Sequence, residues 1–218
     1  MKYRLSSCAI LGLVLTISTI ATIQSGASQK KLSLFTFLSL ERDVSIQLSF
    51  DVAHFKSNKL KSEPYNGLFS IYSTAKNNLV LGCEVLIRGD YRRKHFDFPP
   101  FHLNFDRSQL KDMSFKKVDD FKFVSHCMNK KGSAQTLIKE YLAYQIYATL
   151  TDYAYQTLLL PISYLDITNG KRKESFVIML ESDDDLVGRL GAKWSKQDIG
   201  KPELIDAYSY ETFAYFNI

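Results

Sequence analysis

The chain has 218 residues, with 28 Lys and Arg against 23 Asp and Glu, a formal net charge of +5. That length suits one sizeable domain with at most a small appendage, and 10 Gly with 5 Pro exclude a collagen-like or low-complexity chain. Basic residues alternate with acidic ones along the chain, so nucleic-acid binding is not expected.

Residues 1–28 read as a secretory signal. Lys2 and Arg4 precede the apolar run from Cys8 to Leu15, and the small residues Ser25 to Ser28 suit cleavage after Ala27. The expectation is a secreted or periplasmic protein. The alternative is a membrane anchor facing the periplasm, since Leu5 to Gln29 is uncharged, although its polar second half disfavours a span. Residues 29–200 form the expected α+β domain, and 201–218 a C-terminal helix.

Leu32 to Leu40 alternates apolar and small polar residues in its first half, the pattern of a half-buried strand. Val44 to Phe50 alternates cleanly and is the best strand of the chain. Leu68 to Tyr72 and Leu79 to Arg88 read as further strands, separated by a turn at Asn77-Asn78. Gly89-Asp90 then turns the chain. Arg92, Arg93 and Lys94 sit on a charged hairpin tip, and Pro99-Pro100 precedes renewed alternation at Phe101 to Phe105. Three adjacent cations suit an anion such as phosphate, but a solvated tip explains them more simply.

Asp106 to Asp120 is a polar loop with a short helical turn, and Phe121 to Cys127 a short strand. Period two puts Lys122 on the face opposite Phe121 and Phe123. Ser133 is the expected N-cap of the one long helix. Its buried face is read as broad: Leu137, Tyr141, Tyr144 and Ala148 in one stripe, with Ile138, Leu142 and Ile146 beside it. Glu140 lies near that face, where a carboxylate needs a cationic partner if buried. Gln156 to Asp166 is strand-like, and Pro161 implies an edge position or a bulge. Asn169-Gly170-Lys171 turns the chain into a central strand, Ser175 to Glu181. Ser182 and the acids Asp183 to Asp185 cap a short helix. Pro202 to Ile218 has an apolar helical face.

Cysteines are few. With Cys8 in the leader, Cys83 and Cys127 remain, without CxxC or zinc-ligand spacing. A Cys83–Cys127 disulfide is one reading in an oxidising compartment, and two buried free thiols are the other. No metal site is expected.

Several words of the chain resemble a group of bacterial secreted proteins of unassigned function, distantly similar to the spore-coat CotH kinase-like family. They are Ile87 to Arg93, Phe96 to Pro100, Val124 to Cys127, Lys139 to Tyr144, Leu150 to Tyr153, and Phe176 to Ile178 with Glu181. The resemblance implies a protein-kinase-like small lobe: a mostly antiparallel sheet with one long helix packed on it. It gives Lys122 a nucleotide-phosphate role and Glu140 the pairing role. Arg88, Arg92 and Arg93 fall at the nucleotide-covering hairpin, and Glu181 opens the connection to a second lobe. ATP and Mg are the cofactors it implies. Phe96 stands where the group has a cysteine, so Cys83 would have to replace it in any disulfide to Cys127. The catalytic and metal-binding acids of a second lobe do not follow in this chain.

Three readings compete. The first is a part of a kinase-like protein, inactive alone, whose apolar C-terminal helix packs on a second lobe or a protein partner. The second is an extracytoplasmic binding or structural module without nucleotide chemistry. The third is a phosphotransferase completed by a partner chain. A hydrolase has little support, because no GxSxG is present and the four histidines show no nucleophile–base pattern.

Overall fold

Seven strands close on themselves in the order β1-β2-β3-β4-β5-β7-β6. A computed structural model describes residues 31–73, 78–127 and 132–193, so the expected signal segment and C-terminal helix lie outside the described residues. The strands are β1 (Ser45–Phe50), β2 (Tyr65–Tyr72), β3 (Leu79–Ile87), β4 (Phe101–Phe105), β5 (Asp120–Val124), β6 (Thr157–Asp166) and β7 (Arg172–Leu180). All neighbours pair antiparallel except β1 and β6, which run parallel from Ile46↔Ile162 to Phe50↔Asp166.

This corrects the expected fold. A mixed, closed barrel replaces the kinase-like small lobe with one long helix on an open antiparallel sheet. The physical reason is that alternation reports a buried face without saying whether that face lines a lumen or a flat layer. Closure rests on the β1–β6 ladder, between segments far apart in the chain, and neither segment marks the other.

Alternate residues of every strand fill the lumen: Leu48 and Phe50, Phe69, Leu81 and Val85, Phe101 and Leu103, Phe121 and Phe123, Ile162 and Tyr164, Val177 and Met179. Phe101 and Phe123 are cross-strand partners, and their rings stack 5.4 Å apart. Each such ring contributes about 1.5–3 kcal/mol by leaving water, so the barrel is a packed core.

Short helices cover the barrel. In α1 (Leu34–Leu40), Ser33 caps the first turn by accepting from Thr36 N at 3.1 Å. Leu34, Phe35, Phe37 and Leu38 are buried at helical spacing. The strand expected over Leu32 to Leu40 is therefore a helix, and the cap with its 3–4 spacing outweighs the partial alternation. In α2 (Val52–Ser57), Asp51 caps His54 N at 2.8 Å. Phe55 of α2 is fully buried, 5.3 Å from Phe50 and 5.2 Å from Phe98 between ring centroids, and closes one mouth of the barrel.

The expected hairpin between β3 and β4 is real in register, from Cys83↔Phe105 to Ile87↔Phe101. Its tip, however, is the helix α3 (Asp90–His95) rather than a bare turn. Gly89 makes the entry with φ +80°, a left-handed value that favours glycine, and Arg88 N donates to Pro100 O at 2.9 Å across the base. The expected helical turn after β4 is α4 (Arg107–Asp112), capped by Asp106.

The long helix α5 (Ser133–Leu150) lies outside the barrel, over β6 and β7. Its N-cap is Gly132, not Ser133. Leu137 is buried and packs with Val124, Ile178 and Leu180, joined by Tyr141, Tyr144 and Tyr155. Ile138, Leu142 and Ile146 remain 40%, 51% and 58% exposed, so the buried face is narrower than the expected one. This second layer explains the unbroken apolar run of β7: Val177 and Met179 face the lumen, while Ile178 and Leu180 face α5. Pro161 is not on a free edge. Its partner in β7 is Phe176, and the β1 ladder begins one residue later, at Ile162, so the missing N–H falls outside the parallel pairing. The last described helix is α6 (Asp183–Arg189), where Ser182 accepts from Asp185 N at 3.0 Å as the expected cap.

Candidate functional site

Four of the residues singled out by sequence, Lys122, Glu140, Arg88 and Arg92, gather on the outer wall of the barrel, where β3, α3, β5, α5 and α6 meet. Lys122 points outward from β5 while Phe121 and Phe123 are fully buried in the lumen, as period two requires. Its ammonium pairs with Asp183 Oδ1 at 2.5 Å and lies 5.2 Å from the centre of the Tyr155 ring. Tyr155 also donates to Asp183 Oδ1, at 2.9 Å. Burial alone would raise the Asp183 carboxyl, but the hydrogen bonds from Lys122 and Tyr155 and the Lys122 charge hold it below its ordinary value. Burial, then the Asp183 contact, pushes the Tyr155 hydroxyl up to about 12.

Glu140 reaches across to α3. Arg92 Nη2 donates to its Oε1 at 3.0 Å, with the two side chains 36% and 26% exposed. Burial weakens the Arg92 guanidinium, yet the bond to Glu140 and its charge leave it raised. The half-buried carboxylate thus has the cation it needs, and that cation is Arg92. Lys122 and Glu140, paired with each other by the resemblance, each have a different partner here. Tyr144, on the same side of α5, has its hydroxyl raised by burial and then by Glu140.

Arg88, at the end of β3, is the third cation. Burial lowers its guanidinium, against the pull of Tyr144, Asp120 and Asp183, and its Nη1 is enclosed without a hydrogen-bond partner. Arg93 turns away from this group, to Asp90 at 2.7 Å and Ser62 at 3.4 Å.

Glu181 lies apart and is only 2% exposed. Its Oε1 accepts from Gln156 N at 2.8 Å and from Arg189 Nη2 at 2.6 Å. Arg189 also donates to the carbonyls of Asp152 and Ala154, at 2.7 Å each. Glu181 therefore ties the end of β7 to the segment after α5 and to α6.

Cys83 and Cys127 are both free. Cys83 faces the lumen from β3, buried beside its partner Phe105, whereas Cys127 lies beyond β5 in an isolated bridge to Phe98. A disulfide between them is therefore absent: one thiol faces the interior and the other belongs to a different strand end. Burial pushes Cys83 up to about 12 and also raises Cys127.

Sequence reasoning missed the partners of this wall. Asp183 was legible as a helix-capping acid, but nothing in the sequence ties it to Lys122, and Tyr155 stands in an unremarkable polar stretch. From its own neighbourhood Arg88 was legible as the residue before a glycine turn, and the family resemblance alone gave it a place at a nucleotide-covering hairpin. The arrangement is a set of mutually satisfied ion pairs around one guanidinium with an unpaired donor, suited to accepting a carboxylate, phosphate or carbonyl oxygen. Among the described residues no helix is long and apolar enough to cross a membrane.

Comparison with known proteins adds no relative: no family model matches the chain, and no match is found among curated proteins or solved structures. The class that the fold defines is a closed mixed seven-stranded barrel buttressed by an outer helix.

Proposed function

We propose that this protein is an exported binding module that does not handle nucleotide. One observation carries the reading. The side chains that would serve a nucleotide are committed elsewhere: Lys122 to Asp183 and Tyr155, Glu140 to Arg92, and Glu181 to Arg189 and the Gln156 amide. Freeing Lys122 for a phosphate would strand the part-buried Asp183 carboxylate, a cost that phosphate binding must first offset. A packed barrel with helices around it also supports binding at its rims, since the lumen itself is full of side chains. Export rests on the leader-like residues 1–28.

The test is thermal unfolding of the chain with and without Mg-ATP, beside a Lys122→Ala variant. A ligand that binds the folded state must raise the melting temperature. The expected result is no shift with Mg-ATP. A rise that disappears in Lys122→Ala overturns the reading and turns attention to a phosphotransferase completed by a partner chain.

A further inference from the structure

The mouth of the barrel covered by α2 holds a cavity of about 480 Å³ between α2 and the β6–β7 hairpin, within the range of small-molecule sites. Lys56 reaches it from α2, and Lys171, Arg172 and Lys173 from the start of β7. Asp166 is the one carboxylate in the lining, and its oxygens already accept from Thr168 N, Thr168 Oγ1 and Asn169 Nδ2 at 2.7–3.0 Å within the hairpin turn. The lining thus holds four basic side chains and one acid, which is already committed. Burial and then the Lys56 charge lower the Lys173 ammonium, with Asp97 opposing.

The floor is aromatic. Phe98 and Tyr164 line the cavity, with ring centroids 4.7 Å apart. Tyr164 is 2% exposed, and its hydroxyl is enclosed without a hydrogen-bond partner. Burial raises that hydroxyl, so it stays neutral and keeps a proton that it can donate to an anion. The His126 ring stacks on Phe98 at 5.3 Å, and its Nε2 lies 2.8 Å from Lys173 Nζ. The Tyr164 hydroxyl is thus a buried polar group without a hydrogen-bond partner, which is costly, on a side chain that lines a cavity rimmed with positive charge.

We propose that this cavity binds a small organic acid. Its carboxylate or phosphate lies among Lys56, Lys173 and the Tyr164 hydroxyl, and its apolar body rests on Phe98 and Val52. The proposal gives the binding-module reading above a ligand class and a place. The two fail separately, because the ATP test reads Lys122 on the outer wall and this one reads the mouth.

The experiment is thermal unfolding and titration of the full chain with benzoate and with phenyl phosphate, which separate the two acid types. Inorganic phosphate tests charge alone, and benzyl alcohol tests the apolar body alone. At millimolar concentration at least one of the aromatic acids raises the melting temperature, and neither control does so to the same extent. Tyr164→Phe, which removes an unsatisfied hydroxyl, melts no lower than the parent but weakens the acid about tenfold, the loss of one hydrogen bond to a charged group. The Lys56→Gln, Lys173→Gln double variant abolishes the shift, whereas Arg88→Gln retains it. No shift with either acid overturns the proposal. So does an equal response to inorganic phosphate, or binding that survives both the Tyr164 and the lysine variants.

Discussion

Removing the Glu181 carboxylate tests how the end of β7 is locked to the outer helices. Glu181→Ala deletes an ion pair buried on the glutamate side and orphans the Gln156 amide. An orphaned buried N–H costs about 1–3 kcal/mol, and breaking a fully buried pair costs about 3–5 kcal/mol. Arg189 is 28% exposed and keeps two carbonyl acceptors, so its own stranding is partly relieved by water. The expected loss is about 2–3 kcal/mol, from a total of about 5–15 kcal/mol for a domain of this kind. Glu181→Gln keeps an oxygen for the Gln156 amide and loses only the charge, for about 1–2 kcal/mol. Urea unfolding followed by far-UV circular dichroism gives both numbers, with the slope expected to stay constant. If Glu181→Ala unfolds within about 0.5 kcal/mol of the parent, which is the range of ordinary surface changes, the clamp has no structural role. If Gln costs as much as Ala, the charge matters and the amide contact does not.

Thiol chemistry should separate Cys83 from Cys127. In a Cys8→Ser chain, Cys127 reacts with a disulfide reagent in the folded protein. Cys83, lumen-facing and held up at about 12, reacts only on unfolding; equal native rates would place Cys83 outside the core. Acid should expose the Asp183 contact. Its carboxyl is held below the ordinary aspartate value in the folded state, so its stabilising contribution is present above that ordinary value and is lost as pH falls through the lower folded one. The stability of Asp183→Asn therefore falls less steeply than the parent's below about pH 4, and parallel curves would show that the Lys122–Asp183 contact does not form in solution.

The strands β1, β4 and β5 were legible because apolar and polar residues alternate in them: Ile46, Leu48 and Phe50 face inward with polar residues between them, and Lys122 stands opposite Phe121 and Phe123. The Asn169-Gly170 turn and the Ser182 cap were legible for local chemical reasons, a left-handed glycine at φ +70° and a hydroxyl three residues before its amide. Nothing beyond local pattern was. Barrel closure depends on pairing Ile46 with Ile162, and the partner of Lys122 lies on a helix 61 residues away. The Leu34–Leu40 segment reads as a strand until Ser33 is recognised as its cap. The mouth cavity was invisible for the same reason: Lys56 and Lys173 meet only once the barrel has closed.

The parallel β1–β6 ladder has a consequence for how the chain reaches its final state. Because the first strand is sealed by the sixth, a nascent chain carries β1 with one side unpaired until nearly the whole barrel has been synthesised. Contacts of such long sequence separation form late and slow folding. Until then β1 offers an open hydrogen-bonding edge, next to lumen-facing Leu48 and Phe50, to any other strand it meets. That open interval makes the seam the part of the barrel most in need of a holding chaperone.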